Sequence, residues 1–161
     1  MIVHDADPDK NLYFTEQWIG APGNFAGDLK WHTKNLIIGA TRNWARNVLE
    51  WNLAADINQD PHTQGGCTQC LGALTIDGSN VSRNPAYYII AHASKFARPG
   101  SVRVASNILA GLPNVAFKNP EGKIVMVVLN EGAADQTFYI MYNNQSFKAV
   151  LKKGAVATYV W

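Results

Sequence analysis

The sequence predicts an α/β fold followed by an all-β one: alternating strands and helices over residues 1–99, then an antiparallel β module over residues 100–161. Two observations carry this. Short apolar runs of strand length alternate with helix-like stretches up to about residue 100, which is the order of parallel α/β units. From Ser101 onward apolar and polar residues alternate with period two, in runs separated by turn material such as "NPEG" at 119–122 and "NN" at 143–144.

Each element follows from local pattern. The run "NLYFT" at 11–15 reads as the first strand. The next helix spans 29–43, with Leu36, Ala40 and Trp44 at four-residue spacing, Ile37 alongside, and Asp28 as N-cap. The run "VLEWNLA" at 48–54 is the second strand. A second helix over 85–97 has Asn84 as cap and Pro85 at its first position. Lys95 and Arg98 sit at its negative end before Pro99 and Gly100 stop it, and its predicted buried stripe is Tyr88, Ile89, His92 and Phe96. Six period-two runs then follow: "SVRVAS", "NVAFK", "KIVMVVLN", "QTFYIMY", "SFKAVL" and "AVATYVW". No internal repeat or low-complexity tract interrupts them. Two parallel strands under two helices make too small a sheet to be self-sufficient, so the chain reads as the end of something larger.

Composition narrows the function classes. Of 161 residues, 47% are hydrophobic and 16% charged, which is globular rather than disordered. Fourteen basic against twelve acidic residues give a net charge of +2. The basic residues, Arg42 and Arg46 in one place and Lys148, Lys152 and Lys153 in another, form no stripe that a phosphate backbone would need. The apolar run "IVMVVL" at 124–129 is far shorter than the ~20 residues of a spanning helix. "MIVHDADPDK" carries neither a basic leader nor an apolar stretch, so no signal peptide is expected there.

The chemistry-bearing candidates cluster around the two strands. Counting by twos from Leu12 and Phe14 puts Glu16 on their side, at the C-terminal mouth of the first strand. In a barrel of parallel strands that mouth is the active-site rim. Glu16 there is either a nucleophile or general base, or a rim carboxylate held by an arginine or a backbone amide. Trp51 ends the second strand, where an apolar ring suits the CH-rich face of a sugar or else plugs the barrel end. Glu50, one residue earlier, faces the other way and reads as structural. In "GGCTQC", Cys67 and Cys70 with His62 supply at most three of the four ligands of a structural zinc. A redox Cys-x-x-Cys would open a helix, whereas this one lies in a Gly-rich loop, which leaves a loop-tightening disulfide or a pair of free thiols. The histidines at 4, 32, 62 and 92 accompany no serine motif, and His92 falls on an apolar helix face. Gly-x-Ser-x-Gly, a phosphate-binding Gly loop and His-Glu-x-x-His are all missing from the sequence.

With these residues placed, the sequence resembles the C-terminal part of glycoside hydrolase family 30, the glucosylceramidase family. The carriers are "PDKNLYFTEQW", "IIGATRNWARNVLEWNLAAD", "GGC" with "LTID", "YYIIAHASKFARPGSVRV" and "VAFKNPEGKIVMVVLN", in the family's order along nearly the whole chain. The resemblance implies a (β/α)8 barrel with a side β-sandwich, of which residues 1–99 supply strands seven and eight with their helices and residues 100–161 most of the sandwich. It implies a retaining β-glycosidase of glucosylceramidase type, with Glu16 as catalytic nucleophile and Trp51 lining the sugar site. An endo-β-1,6-glucanase of the same family is the alternative. From another class, a non-catalytic carbohydrate-binding sandwich would show an exposed row of Phe138, Tyr142, Phe147 and Tyr159.

The family's acid/base lies in an Asn-Glu pair with no counterpart here, so the chain alone is expected to be a fragment without efficient turnover. No metal or organic cofactor is implied. The expected partner is a β-glucoside or glucosylceramide-like substrate, with oligomerisation through exposed barrel edges. The family's habit implies a secreted or periplasmic location.

Overall fold

The computed structural model describes residues 2–161. A short helix α1 (Ile2–Ala6) precedes strand β1 (Leu12–Gly20), helix α2 (Phe25–His32) and strand β2 (Ala45–Trp51). β1 and β2 pair in parallel, so β1-α2-β2 is the predicted parallel unit. α2 begins four residues before the predicted start. Its cap is Asn24, whose side chain accepts from the Gly27 amide at 2.9 Å, while Asp28 reaches back to the Asn24 amide at 2.6 Å. Asp28 is thus the reciprocal partner of the cap rather than the cap itself. The helix continues as wide π-helical turns over Thr33–Ala40, which bury Leu36, Ile37 and Ile38.

Trp44 does not join that apolar face. The helix has ended before it, and its left-handed φ of 72° turns the chain into β2. The indole is 46% exposed, stacked on His4 at 4.1 Å with the Arg103 guanidinium 4.9 Å away.

Small strands β3 (Ala54–Ala55), β4 (Cys70–Leu71), β5 (Leu74–Asp77) and β6 (Asn80–Arg83) follow β2, and helix α3 (Pro85–Ser94) comes after them. β4 pairs antiparallel with the end of β1, while β3 pairs in parallel with β5, a second short parallel ladder beside the one predicted. β5 and β6 form a further hairpin, in which Asp77 pairs with Asn80 across a Gly78-Ser79 turn with Gly78 at positive φ. In α3 the buried residues are Pro85, Ala86 and Ile89. Tyr88 is 38% exposed, against expectation, because it leans outward onto Phe25 rather than inward. Asn84 occupies the cap position without capping, since its amide nitrogen donates instead to Gly72 O and Thr75 Oγ1, each at 2.8 Å.

All six period-two runs form strands: β7 (Val102–Val104), β8 (Asn114–Lys118), β9 (Ile124–Leu129), β10 (Gln136–Tyr142), β11 (Gln145–Leu151) and β12 (Val156–Val160). β12-β9-β8-β7 make an antiparallel sheet, and β10-β11 a hairpin turning at Asn143 and Asn144, both at positive φ. The sheet is covered on both faces. Val115, Val127 and Leu129 pack with Ile37, Ile38, Ala86 and Ile89 of the helices, whereas Val128 packs with Phe138, Ile140, Ala149 and Leu151 of the hairpin. Double burial is why "IVMVVL" is apolar without alternation. The helix-side core also holds Ile19 and Leu71, so one core spans residue 100. Arg42 reinforces the junction, donating to Ser106 Oγ, Ser106 O and Asn114 O at 2.8–2.9 Å.

The four aromatic residues named for a binding row are not one exposed face. Phe138 is buried and sits edge-on to Tyr159, against which Phe147 also packs. Tyr142 and Phe147 remain 39% and 37% exposed but both pack on Trp161, since alternation along each strand turns the rings toward the space between hairpin and sheet.

Candidate active site

The geometry around Glu16 starts with an irregular strand. Partners across β1 and β2 run Leu12 to Ala45, Phe14 to Val48, Gln17 to Glu50 and Trp18 to Trp51, and the register slips between Phe14 and Gln17. Because of that slip, Gln17 and Ile19 continue the half-buried side of Leu12 and Phe14, and Glu16 is exposed instead. Counting by twos from Phe14 therefore misplaces Glu16. A slip of one residue re-aims a side chain, and such irregularities recur beside active sites.

Glu16 and Trp51 come together nonetheless. Both line one open cleft of about 480 Å³, with Pro61, His62, Thr63 and Gly66, and its size lies within the ~300–1,000 Å³ typical of small-molecule sites. Trp51 is 39% exposed, an apolar ring at the end of β2. Glu16 has no hydrogen-bond or ion-pair partner among the described residues, so no arginine or amide holds it. It is the one carboxylate in the lining among those residues. A free, solvent-reached carboxylate beside an aromatic ring can attack an electrophilic carbon of a ligand lying on that ring.

Glu50 faces away from the cleft, as its neighbour's orientation requires. It meets His32 Nδ1 through Oε1 inside the protein. The face of β1 and β2 turned from the helices leaves Tyr13, Trp18, Leu49 and Trp51 exposed, a large aromatic and aliphatic surface.

Cys67 and Cys70 form a disulfide, which removes both thiolates from any zinc site. No group of three or more His, Cys, Asp or Glu suited to a metal occurs among the described residues. No helix among them is long and apolar enough to cross a membrane. His92 Nδ1 lies 3.0 Å from Thr158 Oγ1, and burial lowers its pKa below the ordinary histidine value. It is a packing residue between α3 and β12 and does not line the cleft.

The loop that supplies His62 and Thr63 to the cleft was not legible as a wall in the sequence, where His62 is weighed only as a metal ligand. What brings it to Glu16 is the pairing of β4 with β1, a contact between short segments some fifty residues apart.

Comparison with known proteins agrees with this architecture. The model of the glycosyl hydrolase family 30 beta sandwich domain matches residues 100–159. The endo-1,6-beta-D-glucanase neg1 of Aspergillus fumigatus is 30% identical over 98% of this chain and 33% of its own length. The lysosomal acid glucosylceramidase of Mus musculus is 30% identical over 70% of this chain and 22% of its own. Among solved structures, the endo-beta1,6-glucanase BT3312 superposes with a TM-score of 0.91 at 32% identity, covering 99% of this chain and 37% of that one. The chain thus spans about a third of the length of the curated glucanases it matches.

Proposed function

Because the chain belongs to glycoside hydrolase family 30, we propose that the protein is a retaining endo-β-1,6-glucanase in which Glu16 is the nucleophile and Trp51 the sugar platform. The observation that carries this is the shared cleft of an unpartnered carboxylate and an exposed indole. On this reading β1 and β2 are the seventh and eighth strands of a (β/α)8 barrel, and the exposed face bearing Tyr13 and Leu49 is the one that the other strands enclose.

In the reaction, a Glu16 oxygen attacks the anomeric carbon while the bond from that carbon to the leaving oxygen breaks. The leaving oxygen takes a proton from a second carboxyl group, and water later hydrolyses the glycosyl ester with retention. Retention needs the two groups ~5 Å apart, so the acid/base is supplied by residues outside the cleft lining seen here. Without it, general acid-base help worth ~100- to 10,000-fold is lost.

Glucan is preferred over glucosylceramide as substrate because two of the glucanase relatives align along 98% of the chain and a third along 80%, whereas the glucosylceramidases align along 65–80%. A β-glucan substrate outside the cytoplasm would place the enzyme in a secreted or periplasmic compartment. The test is intact-mass labelling of the full-length protein with dinitrophenyl 2-fluoro-glycosides, offered as β-glucoside and as the β-1,6-linked disaccharide. One added glycosyl mass, mapped to Glu16, absent in Glu16→Gln and formed faster with the disaccharide, is expected. Labelling at another residue sinks the nucleophile assignment, and a preference for the monosaccharide returns the reading to a glucosylceramidase type.

A further inference from the structure

Glu16 and Trp51 account for attack and stacking, yet much of the cleft lining belongs to neither strand. Pro61, His62, Thr63 and Gly66 come from the segment between β3 and β4. A loop of this length on a surface is ordinarily mobile. This one is fastened at both ends.

At the entry, Asp56 Oδ1 accepts from the amides of Asn58 at 2.7 Å and Asp60 at 2.9 Å, and the Asp56 amide donates to Asp60 O at 2.8 Å. At the exit, the Cys67–Cys70 disulfide closes the segment, Cys70 and Leu71 pair with Gly20 and Ile19, and the Ala21 amide donates to Gln69 O at 2.8 Å. Those last contacts anchor the loop to β1, the strand that carries Glu16. Between the anchors, the Gly66 amide donates to Thr63 O at 2.8 Å and closes a tight turn.

The polar groups in the wall have an unequal disposition. His62 is held at both ring nitrogens, with Nε2 3.2 Å from Asp60 Oδ1 and Nδ1 3.3 Å from Thr63 O, and its side chain is 27% exposed. The Thr63 hydroxyl, by contrast, has no hydrogen-bond partner among the described residues. A hydroxyl that can donate and accept, next to a fixed imidazole and across one cleft from an indole, is the combination a hexose requires: polar groups for hydroxyls, an apolar face for C–H groups.

We propose that the disulfide-braced loop at 61–67 is a sugar-binding wall of the cleft, in which the Thr63 hydroxyl bonds a glucose hydroxyl, the His62 ring packs against the sugar, and Asp60 is the positioning residue for His62. The assignment rests on the glucanase reading for its ligand, a β-1,6-linked gluco-oligosaccharide. Fixing the loop to the nucleophile's own strand means that the wall and Glu16 keep one geometry, so little ordering cost falls on the sugar when it binds.

The experiment is calorimetric binding of β-1,6-linked glucotetraose to the full-length protein carrying Glu16→Gln, with Thr63→Val and His62→Ala added separately. Thr63→Val keeps the side chain's shape and lies on an exposed turn, so folding is preserved, and matched thermal melts verify this for both variants. Each is expected to weaken binding by about five- to tenfold, Thr63→Val through a lost hydrogen bond and His62→Ala through lost ring contact. Dissociation constants within twofold of the Glu16→Gln parent for both variants overturn the wall. If the tetraose binds and both variants weaken it while Glu16 takes no 2-fluoro label, the wall stands and the nucleophile assignment falls. If Glu16 is labelled but binding ignores Thr63 and His62, only the wall falls. Tetraose that fails to bind the parent overturns the wall as a β-1,6-glucan site.

Discussion

His32 Nδ1 and Glu50 Oε1 meet at 2.7 Å between the end of α2 and β2, with side chains only 6% and 3% exposed. Glu50 is paired in register with Gln17 and is the residue before Trp51, so this buried contact sits directly behind the cleft. The other carboxylate oxygen, Oε2, is buried without a partner, which makes the imidazole contact the more important. Removing His32 as His32→Ala orphans a buried carboxylate and is expected to cost about 1–3 kcal/mol in urea unfolding. A double variant with Glu50→Gln should cost less than the sum of the two single changes, and strict additivity would show that the pair is not coupled.

Gly72 is a position where no side chain fits. A Cβ there would lie 2.6 Å from Asn52 Oδ1, 2.8 Å from Ala55 N and 2.9 Å from Leu74 O, and two of these are backbone atoms that cannot swing away. Gly72→Ala is therefore expected to destabilise the protein by about 1–3 kcal/mol, read as a lowered denaturation midpoint. An unchanged midpoint would mean that β3 and β5 part without cost.

Asn130 is fully buried and joins three carbonyls and an amide. Its Nδ2 faces Ala134 O, Leu151 O and Lys152 O at 2.8–3.1 Å, and its Oδ1 accepts from the Gly132 amide at 2.9 Å. Asn130→Ala leaves these groups unpaired in the interior, at about 1–3 kcal/mol for each group that water cannot reach. Hydrogen exchange should then quicken at Gly132 first, and uniform exchange along the chain would place the effect elsewhere.

The hairpin turn tests backbone chemistry alone. Asn143 and Asn144 hold φ of 49° and 61°, a left-handed pair that asparagine tolerates and β-branched residues do not. Asn144→Val is expected to cost about 1–2 kcal/mol, and Asn144→Gly to be neutral or stabilising, in the same unfolding assay.

His92 gives a pH dependence with a definite sign. Burial lowers its folded-state pKa below the ordinary histidine value of about 6.5, so around and below that pH the unfolded chain binds the proton that the folded chain resists. Its contribution is complete above pH ~6.5 and is lost as pH falls from there toward the folded value. Unfolding midpoints of the wild type and His92→Gln, compared from pH 8 to 5, should converge on acidification; parallel curves would remove His92 as the source.

Elements whose signal is local are legible along the chain. The six late strands are where period two puts them, because each residue's face depends only on its neighbours, and the Asn143-Asn144 turn follows from left-handed tolerance. The resemblance carried by "FTE", "LEWNLA" and the later runs indicated the family. Asp28, Trp44 and Tyr88 differ from expectation because a periodic helix pattern does not say where the helix starts, where a left-handed residue ends it, or which ring finds a partner outside. The position of Glu16 depends on strand pairing, since the slip between Phe14 and Gln17 is a property of two strands together. It also decided that residues 61–67 face that glutamate, through β4 pairing with β1 and the Cys67–Cys70 bridge. Long-range pairing sets those contacts, and no local pattern encodes which distant strand edge will be free to accept it.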